Sequence, residues 1–366
     1  MNIAKNQILI VTSEFPPLPG GIGNHTYNLG LHLSNNGFDV VVIADQRSKS
    51  KTKEIFFDES LPFTVERVRL YNLRIFMYLK RVMLTFKYLG STTHCIATGK
   101  FSLWNVAFCS IFFKRKIIAV VHGSEVNFKS KFLRQSINYS LKRFDEIVAV
   151  SNYTKSLIAH LNKDVKVIPN GITTSEWKNS KEKIDLKGNP VLTTVGRVSS
   201  RKGQLNVIKK LPKLIKEFPE LHYHCVGIPT EAESFIKIAE SLDVDSFVTF
   251  HGSLDDDELK QSLDATDIFV MLSTESSSGD VEGFGIAILE ANAMGIPAIG
   301  TKGCGIEDAI DNYKSGILID NDAISLKNAI REIMENKKDY QKSSISWAQR
   351  HSWSKIINKY LTLIQN

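Results

Sequence analysis

The chain has 366 residues and 43% of them are hydrophobic, so it is long and apolar enough for two domains, and global disorder is excluded. Its formal net charge of +7 is unevenly distributed: residues 1–185 carry 26 Lys and Arg against 14 Asp and Glu, whereas the remainder carries 20 against 25. The four cysteines have no paired or ligand-like spacing, which excludes a disulfide framework and a structural zinc site and is typical of a cytoplasmic protein.

Short β-branched runs alternate with stretches of helical periodicity through the first half. The predicted strands are Ile8–Thr12, Val40–Ala44, His94–Ala97, Ile117–Val121, Glu146–Val150 and Lys166–Ile168. The predicted helices are Asn24–Asn35, Leu103–Phe112 and Thr154–Leu161. We expect neither a signal peptide nor a membrane span, because the apolar runs are too short.

The second half repeats this alternation. The predicted strands are Val191–Val195, Tyr223–Val226, Val248–Phe250, Ile268–Met271, Pro297–Ile299 and Gly316–Ile319. The predicted helices are Gly203–Phe218, Ala232–Ser241, Asp256–Thr266, Gly285–Ala293 and Ile324–Asn336. Alternating β and α units with continuously apolar strands predict parallel sheets covered on both faces. We therefore predict an α/β fold of two doubly wound, Rossmann-like domains facing across a cleft, with ligands at the carboxyl ends of the strands.

A polar stretch, Thr173–Asn189, shows neither helical nor strand periodicity and separates the two series of alternating strands and helices. The predicted domains are therefore residues 1–178 and residues 179–344. Residues 345–366 have a helical pattern and follow a complete second series, so they are predicted to form a separate terminal helix.

The segment Glu282–Glu290 carries the strongest chemical signal. It follows a predicted strand and a polar loop, and it opens a predicted helix. Gly283 and Gly285 let backbone amides approach a ligand, and the start of a helix suits a phosphate. The carboxylate of Glu290 could accept hydrogen bonds from a ribose diol. The alternative is that Glu282 caps the helix and Glu290 is a solvated acid.

A basic loop, Gly196–Gly203, follows the first strand of the second domain. Arg197 and Lys202 can converge there on a diphosphate, because a loop after a parallel strand lies at the ligand-binding edge of the sheet. Arg201 is a third candidate. The alternative is an ordinary solvated basic loop.

Two positions in the first domain also follow predicted strands. The segment Pro16–Gly23 contains Gly21 but lacks the third glycine of a dinucleotide fingerprint, which argues against a nicotinamide dehydrogenase. His122 is a candidate hydrogen-bond donor or acid–base residue; the alternative interpretation is that it has only a structural role.

The acidic run Asp255–Glu258 is interpreted as a helix cap, so we predict no metal site.

Taken in order, these motifs resemble the retaining glycosyltransferases of glycosyltransferase family four, which have the GT-B fold. The resemblance covers nearly the whole chain. It is carried by Gly20-Gly21, His122-Gly123, Pro169-Asn170-Gly171, Gly196-Arg197 with Lys202-Gly203, Glu282 with Glu290, and Gly303–Glu307.

The resemblance implies a role for each candidate residue. Arg197 and Lys202 would bind the donor diphosphate, and Glu290 would bind the nucleotide ribose. His122 would contact the sugar near its reacting carbon. The implied donor-binding set is Gly21, Arg197, Lys202, Glu282, Gly283, Phe284, Gly285 and Glu290. The implied catalytic set is His122, Glu282, Arg197 and Lys202. Residues 1–178 would form the acceptor-side domain and residues 179–344 the nucleotide-sugar-binding domain. The terminal helix would cross back to the first domain.

The implied function is that of a hexosyltransferase, which moves a sugar from a nucleotide-diphosphate sugar to a glycan or lipid-linked acceptor in cell-surface polysaccharide or glycolipid synthesis. GDP-mannose and UDP-sugars are equally open as donors. No cofactor is expected, since fixed cations and helix amides can stabilise the leaving diphosphate. The alternatives are a non-catalytic sugar-nucleotide sensor and a hydrolase or epimerase with the same fold.

The first domain is predicted to dock on an anionic membrane surface, on the inner face of the cell membrane. The segment Arg67–Leu89 mixes basic and aromatic side chains, as interfacial segments do, and Lys114–Lys116 adds a second basic patch. Arg74, Lys80 and Arg81 are the predicted lipid-facing charges. The alternative is an amphipathic core helix with a solvated basic face. No nucleic-acid module is visible, so no nucleic acid is expected as a partner.

Overall fold

The computed structural model describes residues 6–178, 182 and 184–365. Within this part of the chain, no helix is both long and apolar enough to cross a membrane. The chain divides into two compact units. Unit 1 extends to Asn170 and also includes the chain from Trp353 onward, and unit 2 is Gly171–Ser352.

Unit 1 contains a parallel sheet of seven strands in the order β3-β2-β1-β4-β5-β6-β7. The strands are β1 (Gln7–Thr12), β2 (Asp39–Asp45), β3 (Thr64–Val68), β4 (His94–Thr98), β5 (Lys116–Val121), β6 (Glu146–Ala149) and β7 (Val165–Val167). Its helices are α1 (Gly21–Asn35), α2 (Thr52–Glu59), α3 (Arg74–Leu89), α4 (Lys100–Cys109), α5 (Lys131–Leu141), α6 (Asn152–Leu157) and α14 (Trp353–Gln365). Strand β1 is buried on both faces, as expected for a doubly wound sheet.

The sequence pattern does not predict the edge strand β3. Glu66 and Arg67 interrupt its apolar residues, so the segment shows neither a continuous apolar run nor a regular alternation of apolar and polar residues. The structure shows why these charges are tolerated. The guanidinium of Arg67 lies 2.7 Å from the carboxylate of Asp58 and donates to the carbonyl oxygen of Pro16, and the hydroxyl of Tyr88 donates to Glu66.

Unit 2 contains a parallel sheet in the order β10-β9-β8-β11-β12-β13. The strands are β8 (Val191–Val195), β9 (His222–Val226), β10 (Val248–Gly252), β11 (Ile268–Met271), β12 (Ala298–Thr301) and β13 (Gly316–Ile319). The helices are α7 (Gln204–Ile208), α8 (Leu211–Leu214), α9 (Ala232–Ser241), α10 (Asp256–Asp264), α11 (Ile286–Ala293), α12 (Ala323–Glu335) and α13 (Lys337–Arg350). The predicted α/β class is thus confirmed, with two doubly wound units.

One predicted helix of unit 2 is wrong. Residues 203–218 do not form a continuous helix, because α7 ends at Ile208 and α8 starts at Leu211. Pro212 explains the break. Its ring has no N–H to donate, and in a continuous helix it would collide with the carbonyl group of Ile208, four residues earlier.

The terminal segment is two helices rather than one. Helix α13 packs against α11 in unit 2, whereas α14 packs against α1 in unit 1. In α14 the hydroxyl of Tyr360 lies 3.2 Å from Nε2 of His25, and the ring of Trp353 lies 5.3 Å from the same imidazole. The return of the last helix to the first unit is confirmed.

The unit boundaries therefore differ from the predicted domains. The second boundary follows Ser352 rather than residue 344, because α13 stays packed in unit 2. The first boundary between the units follows Asn170. The predicted boundary lies between residues 178 and 179, and residues 179–181 and 183 lie outside the described residues.

Candidate functional site

The basic loop after β8 is fixed by side chains of neighbouring elements. The buried amide of Gln204 donates to the carbonyl oxygen of Arg197 at 3.2 Å. The hydroxyl of Ser200 donates to the carboxylate of Glu231 at 2.6 Å, and Glu231 precedes α9. Because these bonds involve the loop backbone and a side chain from another element, the loop geometry is set by the fold itself.

Gly203 closes this loop and cannot be replaced without strain. Its φ angle is +86°, and a Cβ atom built there would lie 2.1 Å from the carbonyl oxygen of Leu272, just after β11. The left-handed conformation and the close approach of two backbones both require glycine. Gly203 thereby brings the end of the basic loop against the end of β11.

Lys202 and Arg201 both bind the carboxylate of Glu282. The Nζ of Lys202 lies 2.8 Å from Oε2 of Glu282, and the guanidinium of Arg201 binds the same oxygen. Burial by itself raises the pKa of Glu282, but the charges of Lys202 and Arg201 outweigh that effect and lower it to about 2. Glu282 is therefore ionised near pH 7 and balances these cations. It does not cap α11, whose N-cap position is Gly285.

Glu290 lies in α11 and is only partly buried. Its carboxylate accepts no hydrogen bond from the described residues. Burial raises the pKa of Glu290 to about 7, although the charge of Lys202 opposes the rise. Glu290 is thus an acceptor with no donor among the residues that the structure describes, and its own charge changes close to neutral pH.

The segment between these two glutamates is held through its backbone. The N–H of Gly305 donates to the carbonyl oxygen of Glu282 at 3.0 Å, and a Cβ atom at Gly305 would lie 2.1 Å from the carbonyl oxygen of Gly283. Phe284 is 2% exposed, and its ring centroid lies 6.0 Å from that of His351. The side chain of Phe284 is therefore part of the core, so its implied donor contact can involve only the backbone.

Arg197 differs from the other two cations of the loop. Its side chain is exposed and has no hydrogen-bond or ion-pair partner among the described residues. The structure therefore groups Lys202 with Glu282 and leaves the charge of Arg197 available to a ligand. Arg201, which the sequence indicates only as a third candidate, binds Glu282 together with Lys202.

In unit 1, His122 follows β5 and is fixed by its neighbours. Its Nε2 lies 2.8 Å from the hydroxyl of Thr98 at the end of the adjacent strand β4, and its backbone N–H donates to the carboxylate of Glu125. Burial lowers the pKa of His122 well below its usual range, and the nearby His25, whose ring centroid is 5.1 Å away, adds to this shift. The imidazole is therefore neutral near pH 7.

The partners of His122 were not predicted from the sequence. Glu125 is buried, and burial raises its pKa to about 7. Its position three residues after His122 is a local signal that could have been noticed. Thr98 and His25 give no such signal, because they reach His122 only through the pairing of β4 with β5 and the packing of α1.

Gly21 is the first residue of α1, and a Cβ atom there would meet nothing within 4 Å. The preceding Pro-rich loop is held by Arg47, which donates to the carbonyl oxygens of Leu18 at 3.0 Å and Pro19 at 3.2 Å. The backbone at Gly21 is therefore open to a ligand at the start of a helix.

Asp255 and Glu258 form a capping box at the start of α10, as predicted. Among the described residues, no three His, Cys, Asp or Glu side chains are arranged to hold a metal ion.

Two family models match consecutive parts of the chain. The model described as "Glycosyltransferase Family 4" matches residues 19–176, and the model described as "Glycosyl transferases group 1" matches residues 175–350. The chain belongs to glycosyltransferase family four. It is accordingly a sugar-transferring enzyme. The first match covers unit 1 from α1 to β7, and the second covers the strands and helices of unit 2 from β8 to α13.

Curated relatives of this glycosyltransferase include GDP-mannose-dependent alpha-(1-6)-phosphatidylinositol monomannoside mannosyltransferases. That of Mycolicibacterium smegmatis is 27% identical over 250 residues, which cover 65% of each chain. That of Mycobacterium tuberculosis is 25% identical over 353 residues, which cover 90% of this chain and 89% of the relative. The crystal structure of Anabaena Alr3699/HepE in complex with UDP and glucose has a TM-score of 0.79 and 20% identity, covering 98% and 99% of the two chains. The structural likeness confirms the fold.

The close approach at Gly203 leads to a stability prediction. Gly203→Ala should destabilise unit 2 by ~2–4 kcal/mol, because the new methyl group adds a backbone collision to the strain of positive φ. Gly252→Ala is the matched control: φ there is +73° and a Cβ atom meets nothing within 4 Å, so only the strain of ~1 kcal/mol applies. Urea unfolding followed by circular dichroism measures both variants, and equal losses would contradict the proposed steric role.

Proposed function

We propose that this glycosyltransferase transfers a sugar from a nucleotide-diphosphate sugar to a lipid-linked or glycan acceptor, with retention of configuration at the transferred carbon. The observation that carries the proposal is the charge cluster of unit 2. Arg197 has no partner in the described part of the chain, and Lys202 and Arg201 share the ionised, largely buried Glu282 at the carboxyl ends of β8 and β11. A net positive cluster beside the start of α11 suits a diphosphate.

The proposed chemistry uses these charges on the leaving group. Breaking the bond between sugar and diphosphate builds negative charge on the diphosphate, which Arg197 and Lys202 stabilise. The N-terminal amides of α11 add fixed donors to the same group. No cofactor or metal ion is required in this scheme, because the protein itself supplies the positive charge.

Two further groups are assigned to the rest of the donor. The carboxylate of Glu290, to which none of the described residues donates, accepts hydrogen bonds from the ribose hydroxyls. His122 is neutral and its Nε2 is occupied by Thr98, so Nδ1 is the ring nitrogen left for a hydrogen bond to the transferred sugar. We assign His122 and Glu282 to turnover, and Glu290 to donor binding.

The comparisons support two donor classes. The mycobacterial relatives are GDP-mannose-dependent, and the Anabaena structure contains UDP and glucose. GDP-mannose and UDP-glucose are therefore the first donors to test. The relatives are named for a phosphatidylinositol monomannoside acceptor, which supports a lipid-linked acceptor here.

Nucleotide release with and without a mannosylated lipid acceptor tests the function. A transferase should release GDP or UDP much faster when the acceptor is present. Equal release in both cases would favour a hydrolase, and binding without any release would favour a sensor.

The role of Arg197 can be tested directly. Arg197→Ala should lower turnover about 100-fold, which corresponds to ~3 kcal/mol of lost transition-state stabilisation. Lys209→Ala removes an exposed cation a short distance along the same chain segment and should leave turnover unchanged. Steady-state kinetics at saturating donor gives the comparison, and near-wild-type turnover of Arg197→Ala would refute the assignment.

The assignment of Glu290 predicts how donor affinity depends on pH. The free carboxyl has a pKa of about 7, and the ionised form is the better acceptor for ribose hydroxyls. Affinity for a nucleotide sugar should therefore rise as pH increases from 6 to 8, by about tenfold, and then level off.

Glu290→Gln should bind the donor weakly and without this pH dependence. The nucleotide sugar is the right ligand for the calorimetric titration, because its diphosphate diester does not titrate in this range. A wild-type affinity that is constant from pH 6 to 8 would contradict the role of Glu290.

We also propose that unit 1 docks on an anionic membrane through α3. This helix exposes large apolar side chains and basic ones together. The apolar side chains are Ile75, Phe76, Tyr78, Leu79, Met83 and Phe86, between 37% and 64% exposed. The exposed basic side chains include Arg74, Lys80 and Lys87. Such a surface combines insertion of apolar groups with attraction to lipid phosphates.

Two basic residues of the predicted membrane segment are not on this surface. Arg81 is 2% exposed, binds the carboxylate of Asp45, and lies 4.5 Å over the ring of Phe101. Arg67 is held by Asp58. The prediction that Arg81 faces lipid is therefore wrong, because its charge is neutralised in the core and anchors α3 to β2.

Liposome flotation tests the membrane proposal. Charge reversal of both Arg74 and Lys80 should weaken binding to phosphatidylserine-containing vesicles by at least about tenfold at low salt, since each surface cation contributes ~1 kcal/mol. Lys213→Glu, an exposed charge reversal in unit 2, should bind as the wild type does. Equal recovery with neutral and anionic vesicles would refute electrostatic docking.

A further inference from the structure

Two adjacent cations of unit 2 share a single carboxylate oxygen. The Nζ of Lys202 lies 2.8 Å from Oε2 of Glu282, and the guanidinium of Arg201 binds the same atom. The proposed function assigns Lys202 to the donor diphosphate, yet the structure places its charge on a protein carboxylate. The proposed function gives no role to Arg201.

The backbones of Arg201 and Glu282 are tied to other loops of unit 2. The carbonyl oxygen of Arg201 accepts the N–H of Thr274 at 3.2 Å, and that of Glu282 accepts the N–H of Gly305 at 3.0 Å. The ion pair between Arg201 and Glu282 is thus supported at both ends. It can persist when the flexible side chain of Lys202 turns to a ligand.

Charge balance shows why a second cation matters. The side chain of Glu282 is 12% exposed and ionised, and a bound diphosphate brings two further negative charges close to Lys202. If Lys202 moved to the diphosphate and no other cation remained, a buried carboxylate would be left uncompensated beside charges of its own sign. Such an arrangement is strongly unfavourable, so Lys202 would stay on Glu282.

We propose that Arg201 is a positioning residue that keeps Glu282 neutralised and thereby releases Lys202 to the donor diphosphate. This inference rests on the proposed function, because it concerns the same site. Arg201 acts through Glu282 and does not touch the donor. A direct phosphate contact by Arg201 and a purely structural role are the competing explanations.

A double-mutant cycle with donor binding as the readout separates these explanations. GDP-mannose and UDP-glucose are titrated calorimetrically into the wild type, R201A, E282Q and the double variant. R201A should weaken donor binding about tenfold in the wild-type background and less than about twofold in the E282Q background, because without the Glu282 charge nothing retains Lys202.

The conservative variant and the pH dependence provide the controls. R201K keeps a cation for Glu282 and should restore binding to within about threefold of the wild type. R201A removes one of the charges that lower the pKa of Glu282, so in this variant Glu282 takes up a proton at a higher pH and then no longer retains Lys202. The loss of donor affinity caused by R201A should therefore shrink as the pH falls. A structural role would weaken binding equally at every pH. If R201A fails to fold, R201Q provides the same neutral substitution with a longer side chain.

The outcomes separate this inference from the proposed function. An equal loss in both backgrounds would show that Arg201 acts independently of Glu282, through a direct donor contact or a structural role, and no loss in either would show that it has no role; each result overturns the inference alone. A wild-type protein that binds neither nucleotide sugar would overturn the proposed function, and the inference with it.

Discussion

The carboxylate of Glu282 is the interaction on which the rest of the unit 2 site depends. Two cations would repel each other on neighbouring residues of one short loop if no anion lay between them. Glu282 removes that repulsion and holds Lys202 and Arg201 at one point. Because the carboxylate is mostly buried, it also depends on the cations, which keep it ionised. Glu282, Lys202 and Arg201 are therefore stable only together, whereas the charge of Arg197 remains available to a ligand.

The parallel sheets determine where such a cluster of charged side chains can form. Every strand of unit 2 ends at the same edge, so the loops after β8 and β11 meet although many residues separate them in the chain. Gly203 allows the loop after β8 to approach Leu272 after β11, and Gly305 allows the loop after β12 to approach Gly283, both within distances that no side chain would permit. The same rule applies in unit 1, where the ends of β4 and β5 bring Thr98 to His122.

Basic residues serve two different purposes in unit 1. Half-buried Arg67 joins β3 to α2 through Asp58, and buried Arg81 joins α3 to β2 through Asp45, whereas Arg74 and Lys80 are solvated on the exposed face of α3. All four look alike in the sequence, because helical periodicity does not show whether a charged side chain meets a carboxylate from another element. The positive balance of residues 1–185 therefore overstates the charge that unit 1 offers to a membrane.

The sequence by itself determined the α/β class, nearly all the strands and the family motifs, because continuous apolar runs, glycine turns and the pair Glu282 and Glu290 are local patterns. It did not determine the edge strand β3, whose charges are neutralised by other elements, or the point where α13 gives way to α14. Only the tertiary structure decided that Arg201 shares Glu282 with Lys202, that Phe284 is a core side chain, and that Thr98 and His25 surround His122. These pairings join residues far apart in the chain, and burial then sets the charge state of each group, so no local pattern of residues could encode them.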